Sequence, residues 1–422
     1  MNKQNRIESA EILCVGTELL LGDIVNTNAA YLSQRLAEMG IHVYRHTAVG
    51  DNPDRLLRAL RAAFDEVDTV VMSGGLGPTY DDLTKETVAS FFEREMQMHE
   101  ESLAMIREYF ERTGRVMTKN NEKQAMMPVG AVVFPNHFGT APALALTGGE
   151  GNRKTAIMLP GPPVELIPLF EEQIRPYLQG RLDRVIVSSN VHVFGMGESA
   201  IEDKLKDMMT EAHNPTLAPY CAEGEVRLRV TAESDTEEQA YSMCDAMIER
   251  IRATEVGEFI YGIDVHSIER AAVEALRKKG LTLACAESCT GGLIAKRITD
   301  IAGCSDVFAG GCVTYSNEEK IRLLGVSEQT LARYGAVSEQ TAREMARGAR
   351  ERLGVDVAVS TTGLAGPDGG TAEKPVGTVY VGISTERGEN VRRLSLSPMR
   401  SREYIRAVSA SNAYDMILKE IK

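Results

Sequence analysis

The sequence predicts an α/β protein in three parts: an N-terminal domain with a doubly wound, mostly parallel sheet, a small α+β middle domain and a C-terminal α/β domain. Three observations support this prediction. The chain has 422 residues, which is too long for one ordinary domain. Between residues 11 and 72, apolar strands alternate with amphipathic helices, as in a parallel sheet with helices on both faces. Two later apolar strands, at 281–285 and 355–360, each lead into a glycine-containing loop.

The first domain is predicted to span residues 1–178. Its strands are predicted at 11–15, 41–49 and 68–72, and residues 16–22 are predicted to be the loop after the first strand. One helix follows Asn26 and stops at Gly40, because glycine ends helices well, and further helices are predicted at 53–64 and 165–178. In such a sheet, ligands bind at the carboxyl ends of the strands.

A glycine-rich loop, SGGLGPTYDD at 73–82, follows the third strand. Gly74, Gly75 and Gly77 allow backbone amides to approach a phosphate, and Asp81 and Asp82 offer oxygen ligands to a divalent cation. The same residue types are also typical of turns and helix caps. We favour a binding site because three glycines directly follow a buried strand.

The middle domain is predicted to span residues 179–262. Its pattern is strand, helix, strand, helix, at 184–193, 198–209, 225–231 and 237–251. A unit of this size folds beside larger neighbours.

The C-terminal domain, at 263–422, begins with a helix at 266–279 and the strand at 281–285. The turn that follows, ESCTGG, leads into a helix marked by Leu293, Ile294 and Ile298. It places hydroxyl and thiol groups beside the first N–H groups of that helix, a position that suits an anion or an exposed nucleophile. Alternatively, Ser288 or Thr290 only caps the helix.

Two further features of the C-terminal domain suit an anionic ligand. The loop at 361–370, TTGLAGPDGG, is suited to phosphate or ribose. In the terminal helix at 401–421, Arg402 and Arg406 lie one turn apart and can face one anion. Strands are predicted at 376–383 and 391–396, and Ser338 is predicted to cap another helix.

The amino-acid composition indicates which classes of protein are compatible with this sequence. Hydrophobic residues at 43% and charged residues at 25% are typical of a soluble globular chain, and no apolar run is long enough to span a bilayer. Seven scattered cysteines predict reduced thiols in the cytoplasm. A net charge of −13 argues against direct nucleic-acid binding, which needs clustered Lys and Arg.

Four segments of the first domain resemble a domain shared by the CinA family and the molybdopterin-binding MoaB/MogA proteins. They are VGTELLLGDIVNTN, GGLGPTYDDLTKE, NHFGTAPA and MLPGPPVE. Leu76 is the CinA form of the glycine motif, which argues against molybdenum-cofactor synthesis. The resemblance implies metal-dependent cleavage of ADP-ribose. It implies phosphate and nucleotide contacts from Gly74, Gly75, Gly77, Thr79, Glu18 and Asn26, and a divalent metal held by Asp81, Asp82 and Asp23.

The C-terminal domain resembles the CinA C-terminal domain, a nicotinamide mononucleotide amidohydrolase. The matching segments include AESCTGGLIAKRITDIAGCS, FAGGCVTYSNEEK, TTGLAGPDGG and SREYIR, in the family's order. The resemblance implies that nicotinamide mononucleotide and water give nicotinic acid mononucleotide and ammonia, without a cofactor. The segment NPTLAPY resembles the KH-like middle part of the same family, and by analogy with the family we expect a homodimer.

Within this resemblance, Ser288 is the expected nucleophile and Lys320 its base. A lysine can accept a proton only if its pKa is lowered, and Ser–Lys pairs need no histidine; none occurs between Leu281 and Lys422. Tyr315 is expected to share the proton or to orient Lys320. Backbone N–H groups at Thr290 and Gly291 are the expected oxyanion donors. The expected contacts to phosphate and ribose are Gly292, Thr362, Gly363, Gly366, Arg402 and Arg406.

Three alternatives stay open from the sequence. Cys289 could be the nucleophile, because a helix N-terminus lowers a thiol's pKa. Four cysteines could bind zinc, although their spacings contain no CxxC pair: Cys285, Cys289, Cys304 and Cys312. The chain could also be a non-enzymatic interaction protein linked to competence or DNA damage.

Overall fold

A computed structural model describes residues 7–149, 151, 153–182, 185–222 and 224–421. The chain divides into two compact units, one formed by Met1–Val187 with Ala232–Ser242 and the other by Ser188–Thr231 with Met243–Lys422. Among the helices in these described ranges, none is long and apolar enough to cross a membrane.

The first unit contains a six-stranded sheet in the order β2-β1-β3-β8-β7-β6. β2, β1, β3 and β8 run parallel to one another. β7 runs antiparallel to β8, and β6 runs antiparallel to β7. This confirms the predicted mostly parallel sheet. A separate antiparallel pair is formed by β4 and β5. The strands are β1 (Ser9–Val15), β2 (His42–Val49), β3 (Thr69–Ser73), β4 (Met96–Met98), β5 (Met126–Pro128), β6 (Val132–Phe134), β7 (Ala143–Gly148) and β8 (Lys154–Leu159).

Helices cover both faces of this sheet because successive strand residues point to opposite sides. Ile12 of β1 packs in one core with Leu32 of α2, and Leu13 packs in the other with Leu60 of α3. The helices are α1 (Thr17–Leu21), α2 (Thr27–Glu38), α3 (Pro53–Glu66), α4 (Thr84–Phe91), α5 (Glu100–Thr113), α6 (Pro163–Leu169) and α7 (Arg175–Gln179), with a short 3₁₀ turn at Lys119–Ala125.

Two predicted elements of this unit differ from the structure. The loop expected at 16–22 contains α1, a five-residue helix without a fully buried side chain, which is too short to show amphipathic helical periodicity. The helix expected at 165–178 is divided by a wide π-type turn at Phe170–Ile174. Pro168, just before that turn, has no N–H for a helical hydrogen bond.

The middle part of the chain forms a four-stranded sheet in the order β10-β11-β9-β12. It confirms the predicted small α+β unit. Two strands, β10 and β12, are absent from the prediction. β10 contains Pro219, which cannot donate to a ladder, and the structure places this strand at the sheet edge where proline is tolerated. The elements are β9 (Val185–Phe194), α8 (Glu198–Glu211), β10 (Thr216–Ala222), β11 (Glu225–Ser234), α9 (Glu237–Arg252) and β12 (Ile260–Ile263).

The C-terminal sheet has five strands in the order β14-β13-β15-β16-β17, and the predicted α/β domain is confirmed. β13 is parallel to both of its neighbours, β14 and β15. β16 runs antiparallel to β15, and β17 runs antiparallel to β16. The strands are β13 (Leu283–Glu287), β14 (Phe308–Val313), β15 (Val357–Gly363), β16 (Thr378–Thr385) and β17 (Gly388–Ser395). The helices are α10 (Ile268–Lys279), α11 (Leu293–Thr299), α12 (Asn317–Leu324), α13 (Glu328–Tyr334), α14 (Glu339–Leu353) and α15 (Arg402–Glu420).

The packing of this domain fixes the position of the turn that contains Ser288. Every residue of β13 is buried, and its parallel neighbours end at the same edge of the sheet. That edge therefore gathers Ser288 after β13, Thr314 after β14 and the loop after β15. As predicted, Ser338 caps α14, with its Oγ accepting the N–H of Thr341 at 3.2 Å.

Candidate functional site

Ser288 is the first residue after β13, and the strand end fixes its position. Its backbone N–H donates to the carbonyl oxygen of Thr361 at 2.9 Å, which continues the ladder between β13 and β15. The side chain is 8% exposed, so one face remains accessible. The structure brings its Oγ to 3.1 Å from the Nζ atom of Lys320, a residue 32 positions away in the chain.

Lys320 reaches this position from α12, whose N-terminus is capped by Ser316. The side chain is 1% exposed. Its Nζ donates to the carbonyl oxygens of Thr314 at 2.8 Å, Tyr315 at 3.3 Å and Ser316 at 3.5 Å. In the described part of the chain, no carboxylate lies within 4 Å of Nζ. Burial lowers the pKa of Lys320, and the electrostatic influence of nearby Glu318 partly opposes that shift.

The surrounding carbonyl groups also set the direction of the lysine lone pair. A neutral amine has two N–H groups, which the two nearest carbonyl oxygens, of Thr314 and Tyr315, can accept. The lone pair is then left for the hydroxyl proton of Ser288, at 3.1 Å. This arrangement is what a serine nucleophile with a lysine base requires.

Tyr315 contacts Lys320 only through its backbone. Its phenol is 66% exposed and accepts a hydrogen bond from Arg402 at 3.3 Å. The expected sharing of a proton by the phenol is therefore not supported, because the hydroxyl is directed toward Arg402. Orientation of Lys320 by the carbonyl oxygen of Tyr315 agrees with this geometry.

The turn after Ser288 differs from the prediction. The N-cap of α11 is Gly292, with φ of 93°, so neither Ser288 nor Thr290 caps the helix. The carboxylate of Glu287 accepts the N–H groups of Gly292 at 2.9 Å, Ile294 at 3.1 Å and Ala295 at 2.9 Å. These N–H groups were expected to be open to an anion. A side chain of the protein occupies them, and Gly292 is thereby unable to bind substrate through its N–H.

Of the two expected oxyanion donors, one is already engaged. The N–H of Gly291 donates to the carbonyl oxygen of Ser288 at 3.1 Å. Its expected role as an oxyanion donor would require this hydrogen bond to be shared or broken, and that role stays a prediction. Thr290 is fully buried and its hydroxyl pairs with that of Thr361 at 2.6 Å, so the turn is held against β15. A role for the N–H of Thr290 stays a prediction.

Arg402 and Arg406 lie in the first turns of α15 and approach the same edge. Arg406 donates to the carbonyl oxygen of Thr290 through Nε at 3.2 Å and Nη2 at 2.6 Å. Arg402 donates to the carbonyl oxygen of Gly366 at 2.6 Å. The structure thus brings both arginines to the two loops that were expected to bind phosphate and ribose. Each guanidinium has five N–H donors, so both can bind an anion as well.

Two other expected contacts from β15 are placed differently. Thr362 is buried and its hydroxyl donates to the carbonyl oxygen of Ala336 at 2.7 Å, so that hydroxyl is already used. Gly363 is the last residue of β15 and pairs with Val379 of β16. The loop that follows Gly363 is therefore better placed than these two residues to contact a ligand.

The cysteine alternatives are not supported. Cys289 is buried, and burial raises its pKa to about 11, so the thiol stays protonated at neutral pH and is a poor nucleophile. Within the described residues, no group of three or more His, Cys, Asp and Glu side chains is arranged to hold a metal.

The first unit contains a separate cleft of about 430 Å³ at the carboxyl ends of its strands. Gly74 has φ of 100°, and a Cβ there would meet the carbonyl oxygen of Val15 at 2.1 Å, so the close approach requires glycine. Among the residues that line the cleft are seven that the sequence predicted: Glu18, Gly74, Gly75, Gly77, Thr79, Asp81 and Asp82.

Asp81 and Asp82 converge on Thr79, whose hydroxyl lies within hydrogen-bond distance of both carboxylates. That hydrogen bond is the main reason why the pKa of Asp81 is lowered. A hydroxyl has one proton, so it satisfies only one carboxylate at a time. Asp82 also accepts the backbone N–H of Thr79 at 2.9 Å. Two neighbouring carboxylate groups supply oxygen ligands of the kind that a divalent cation prefers.

Comparison with known proteins gives a match over nearly the whole chain. Residues 11–180 match a probable molybdopterin binding domain, residues 188–262 the damage-inducible protein CinA KH domain and residues 265–421 the CinA C-terminal domain. A CinA-like protein of Dictyoglomus thermophilum is 51% identical over 407 residues, 96% of this chain and 98% of that protein. The chain belongs to the CinA family.

The chain is also similar to two proteins with competence-related names. A putative competence-damage inducible protein of Caldanaerobacter subterraneus is 48% identical over 412 residues, 98% of each chain. Among solved structures, the competence/damage inducible protein CihA of Agrobacterium tumefaciens is 42% identical, covering 36% of this chain and 92% of that one, with a TM-score of 0.35.

Two residues expected at the N-terminal cleft of this CinA family member lie elsewhere. Asn26 caps α2, its side chain accepting the N–H of Ala29 at 3.1 Å, and it does not line the cleft. Asp23 is exposed and does not line the cleft, and its contact with a metal stays a prediction. Asparagine before a helix is favoured for capping, which explains the first difference.

Sequence reasoning also missed functional candidates. Glu165 lines the cleft, accepts a hydrogen bond from Asn136 at 2.6 Å, and has a pKa raised mainly by burial. Glu165 is the last residue of the segment MLPGPPVE, and the family resemblance of that segment could have identified it. Glu287 was missed because a carboxylate inside a buried strand end has no recognisable pattern.

Proposed function

We propose that this CinA family member hydrolyses the amide of nicotinamide mononucleotide, giving nicotinic acid mononucleotide and ammonia. The main support is the buried pair of Ser288 and Lys320, with Oγ and Nζ 3.1 Å apart. The match to the CinA C-terminal domain supports the same proposal.

In the first half of the proposed reaction, neutral Lys320 takes the hydroxyl proton of Ser288 while Oγ attacks the amide carbon. The tetrahedral intermediate carries its charge on the former carbonyl oxygen. As the intermediate collapses, the C–N bond breaks and Lys320 returns the proton to the leaving nitrogen, so ammonia departs. An ester between Ser288 and the nicotinoyl group remains.

In the second half, water takes the place of ammonia. Lys320 accepts a proton from the water as its oxygen attacks the ester carbon, and then returns this proton to Oγ of Ser288 as the ester bond breaks. The free carboxylic acid ionises on release. The enzyme regains its starting protonation, so no cofactor is consumed.

Arg402 is proposed to bind the 5′-phosphate together with Arg406. Replacing Arg402 with alanine is expected to raise KM by about 10-fold or more and to change kcat little, since a phosphate contact is made in ground and transition states alike. Steady-state kinetics measure both. Arg400→Ala is the matched control, because Arg400 instead stacks on Tyr404. A collapse of kcat in Arg402→Ala with KM unchanged would contradict this role.

The proposed activity is tested by measuring ammonia release from nicotinamide mononucleotide, with chromatography to identify nicotinic acid mononucleotide. Turnover by the wild type supports the proposal. A wild type that binds nicotinamide mononucleotide but releases no ammonia would favour the alternative of a non-enzymatic competence or DNA-damage interaction protein.

We infer a second activity, metal-dependent cleavage of ADP-ribose, at the cleft of the first unit. Its support is the pair of carboxylates that converge on Thr79 beside the glycine loop. Asp81 and Asp82 would hold a divalent metal, which would polarise the phosphate oxygens. Glu18, Gly75 and Gly77 line the same cleft and would contact the nucleotide.

Chelation separates the two proposed activities. Removing divalent metal with EDTA is expected to abolish ADP-ribose cleavage and to leave ammonia release intact, because the Ser288 site uses no metal. Both products are measured in one sample, so each activity controls for the other. Equal loss of both would contradict the assignment of separate sites.

A further inference from the structure

We propose that Glu287 is a positioning residue for the amide hydrolysis, which fixes Ser288 and Lys320 relative to each other. This inference rests on the proposed function. Glu287 precedes the nucleophile directly and its side chain is 0% exposed. It makes no ion pair with any Lys or Arg among the described residues, so its carboxylate is held by neutral donors.

The side chain of Glu287 ties the end of β13 to the start of α11. One carboxylate oxygen accepts the N–H groups of Gly292 and Ile294, and the other accepts the N–H of Ala295 at 2.9 Å. The thiol of Cys285 also donates to it at 3.5 Å. Ser288 lies in the tight turn that these bonds close, so its backbone has little freedom.

The main chain of Glu287 holds the other half of the pair. Its carbonyl oxygen accepts the N–H of Thr314 at 2.9 Å, and the carbonyl oxygen of Thr314 accepts Nζ of Lys320 at 2.8 Å. Glu287 therefore links the turn that carries Ser288 to the carbonyl groups that accept hydrogen bonds from Lys320. A shift of Glu287 moves both reacting groups, and misplacement by about 1 Å costs on the order of 100-fold in rate.

The carboxylate of Glu287 also prevents the substrate's phosphate from binding at the start of α11. Free N–H groups at a helix start attract anions, but here Glu287 fills them with a negative charge. A phosphate at the same place would be repelled and would lose those donors. The phosphate is thereby left to the guanidinium groups of Arg402 and Arg406, which donate to the carbonyl oxygens of Gly366 and Thr290.

The test compares Glu287→Gln with Glu287→Ala. The amide of glutamine keeps the size but turns an acceptor into a donor that faces N–H groups. Both variants are expected to lose about 100-fold in kcat with KM within about threefold of the wild type. Added formate is expected to restore kcat in Glu287→Ala, where a cavity exposes the three N–H donors, and to do nothing in Glu287→Gln or Ser288→Ala.

A crystal structure of Glu287→Gln provides a readout that does not depend on activity. The expected result is Oγ of Ser288 displaced from its hydrogen bond with Lys320. If that distance, kcat and the formate response are all unchanged, the proposal is overturned, and it is also overturned if neither variant folds. If the wild type releases no ammonia but Oγ is displaced in the variant, the proposed function fails while the positioning role of Glu287 holds.

Discussion

Replacing Ser288 with alanine is expected to lower kcat/KM for nicotinamide mononucleotide by a factor on the order of 10⁴ to 10⁶. The variant lacks the oxygen proposed to form the ester with the nicotinoyl group. Ammonia release under saturating and limiting substrate measures the loss. Binding of nicotinamide mononucleotide, measured by calorimetry, is expected to persist, because the arginines proposed to bind the phosphate are unchanged.

Cys289→Ala is the matched control, since it changes the adjacent side chain and removes the competing nucleophile. Burial raises the pKa of Cys289 to about 11, so its thiolate is scarce at neutral pH. We expect kcat/KM to fall by less than about 10-fold, as for a small buried side chain that takes no part in bond making. If Cys289→Ala were inactive and Ser288→Ala active, the serine mechanism would be wrong.

Lys320→Met is expected to remove nearly all activity together with the acid limb of the pH profile. Protonated lysine cannot accept the proton of Ser288, so kcat/KM falls as the pH drops through the pKa of Lys320. Burial lowers that pKa, so the wild-type limb is expected well below the value of about 10.4 for an exposed lysine. The measurement is kcat/KM against pH for both proteins.

Two further variants control for this experiment. Lys320→Arg is not expected to rescue activity, because a guanidinium does not deprotonate at working pH. Lys296→Met removes an exposed lysine that pairs with Asp300 and should leave the profile unchanged. A Lys320→Met enzyme with most of its rate, or with the same acid limb, would falsify the assignment of the base.

Much of the fold follows from local pattern. The strands β3, β13 and β15 contain the short apolar runs VVM, LACA and VAV and are almost wholly buried, as expected for strands with helices on both faces. Gly280 ends α10 in the left-handed conformation, as the sequence predicts. Two kinds of element were missed: α1 has no fully buried side chain, and the prolines around β10 concealed an edge strand.

The site was predictable to the extent that strand topology determines it. Ser288 and Lys320 are far apart in sequence, yet the carboxyl ends of parallel strands meet at one edge, so their approach follows from the fold. The choice of hydrogen-bond partner does not follow. Glu287 competes with any ligand for the N–H groups of α11, and Asn26 is used as a cap, since each contact depends on side-chain geometry that spacing does not specify.

The hydrogen bonds of Arg402 and Arg406 to backbone carbonyls have a consequence for ligand affinity. A free arginine loses about 0.5–1.5 kcal/mol of rotamer entropy when a ligand immobilises it. Here Gly366 and Thr290 already hold the two guanidinium groups before any ligand arrives. Much of that entropic penalty therefore belongs to folding rather than to binding, and the anion meets a preorganised receptor.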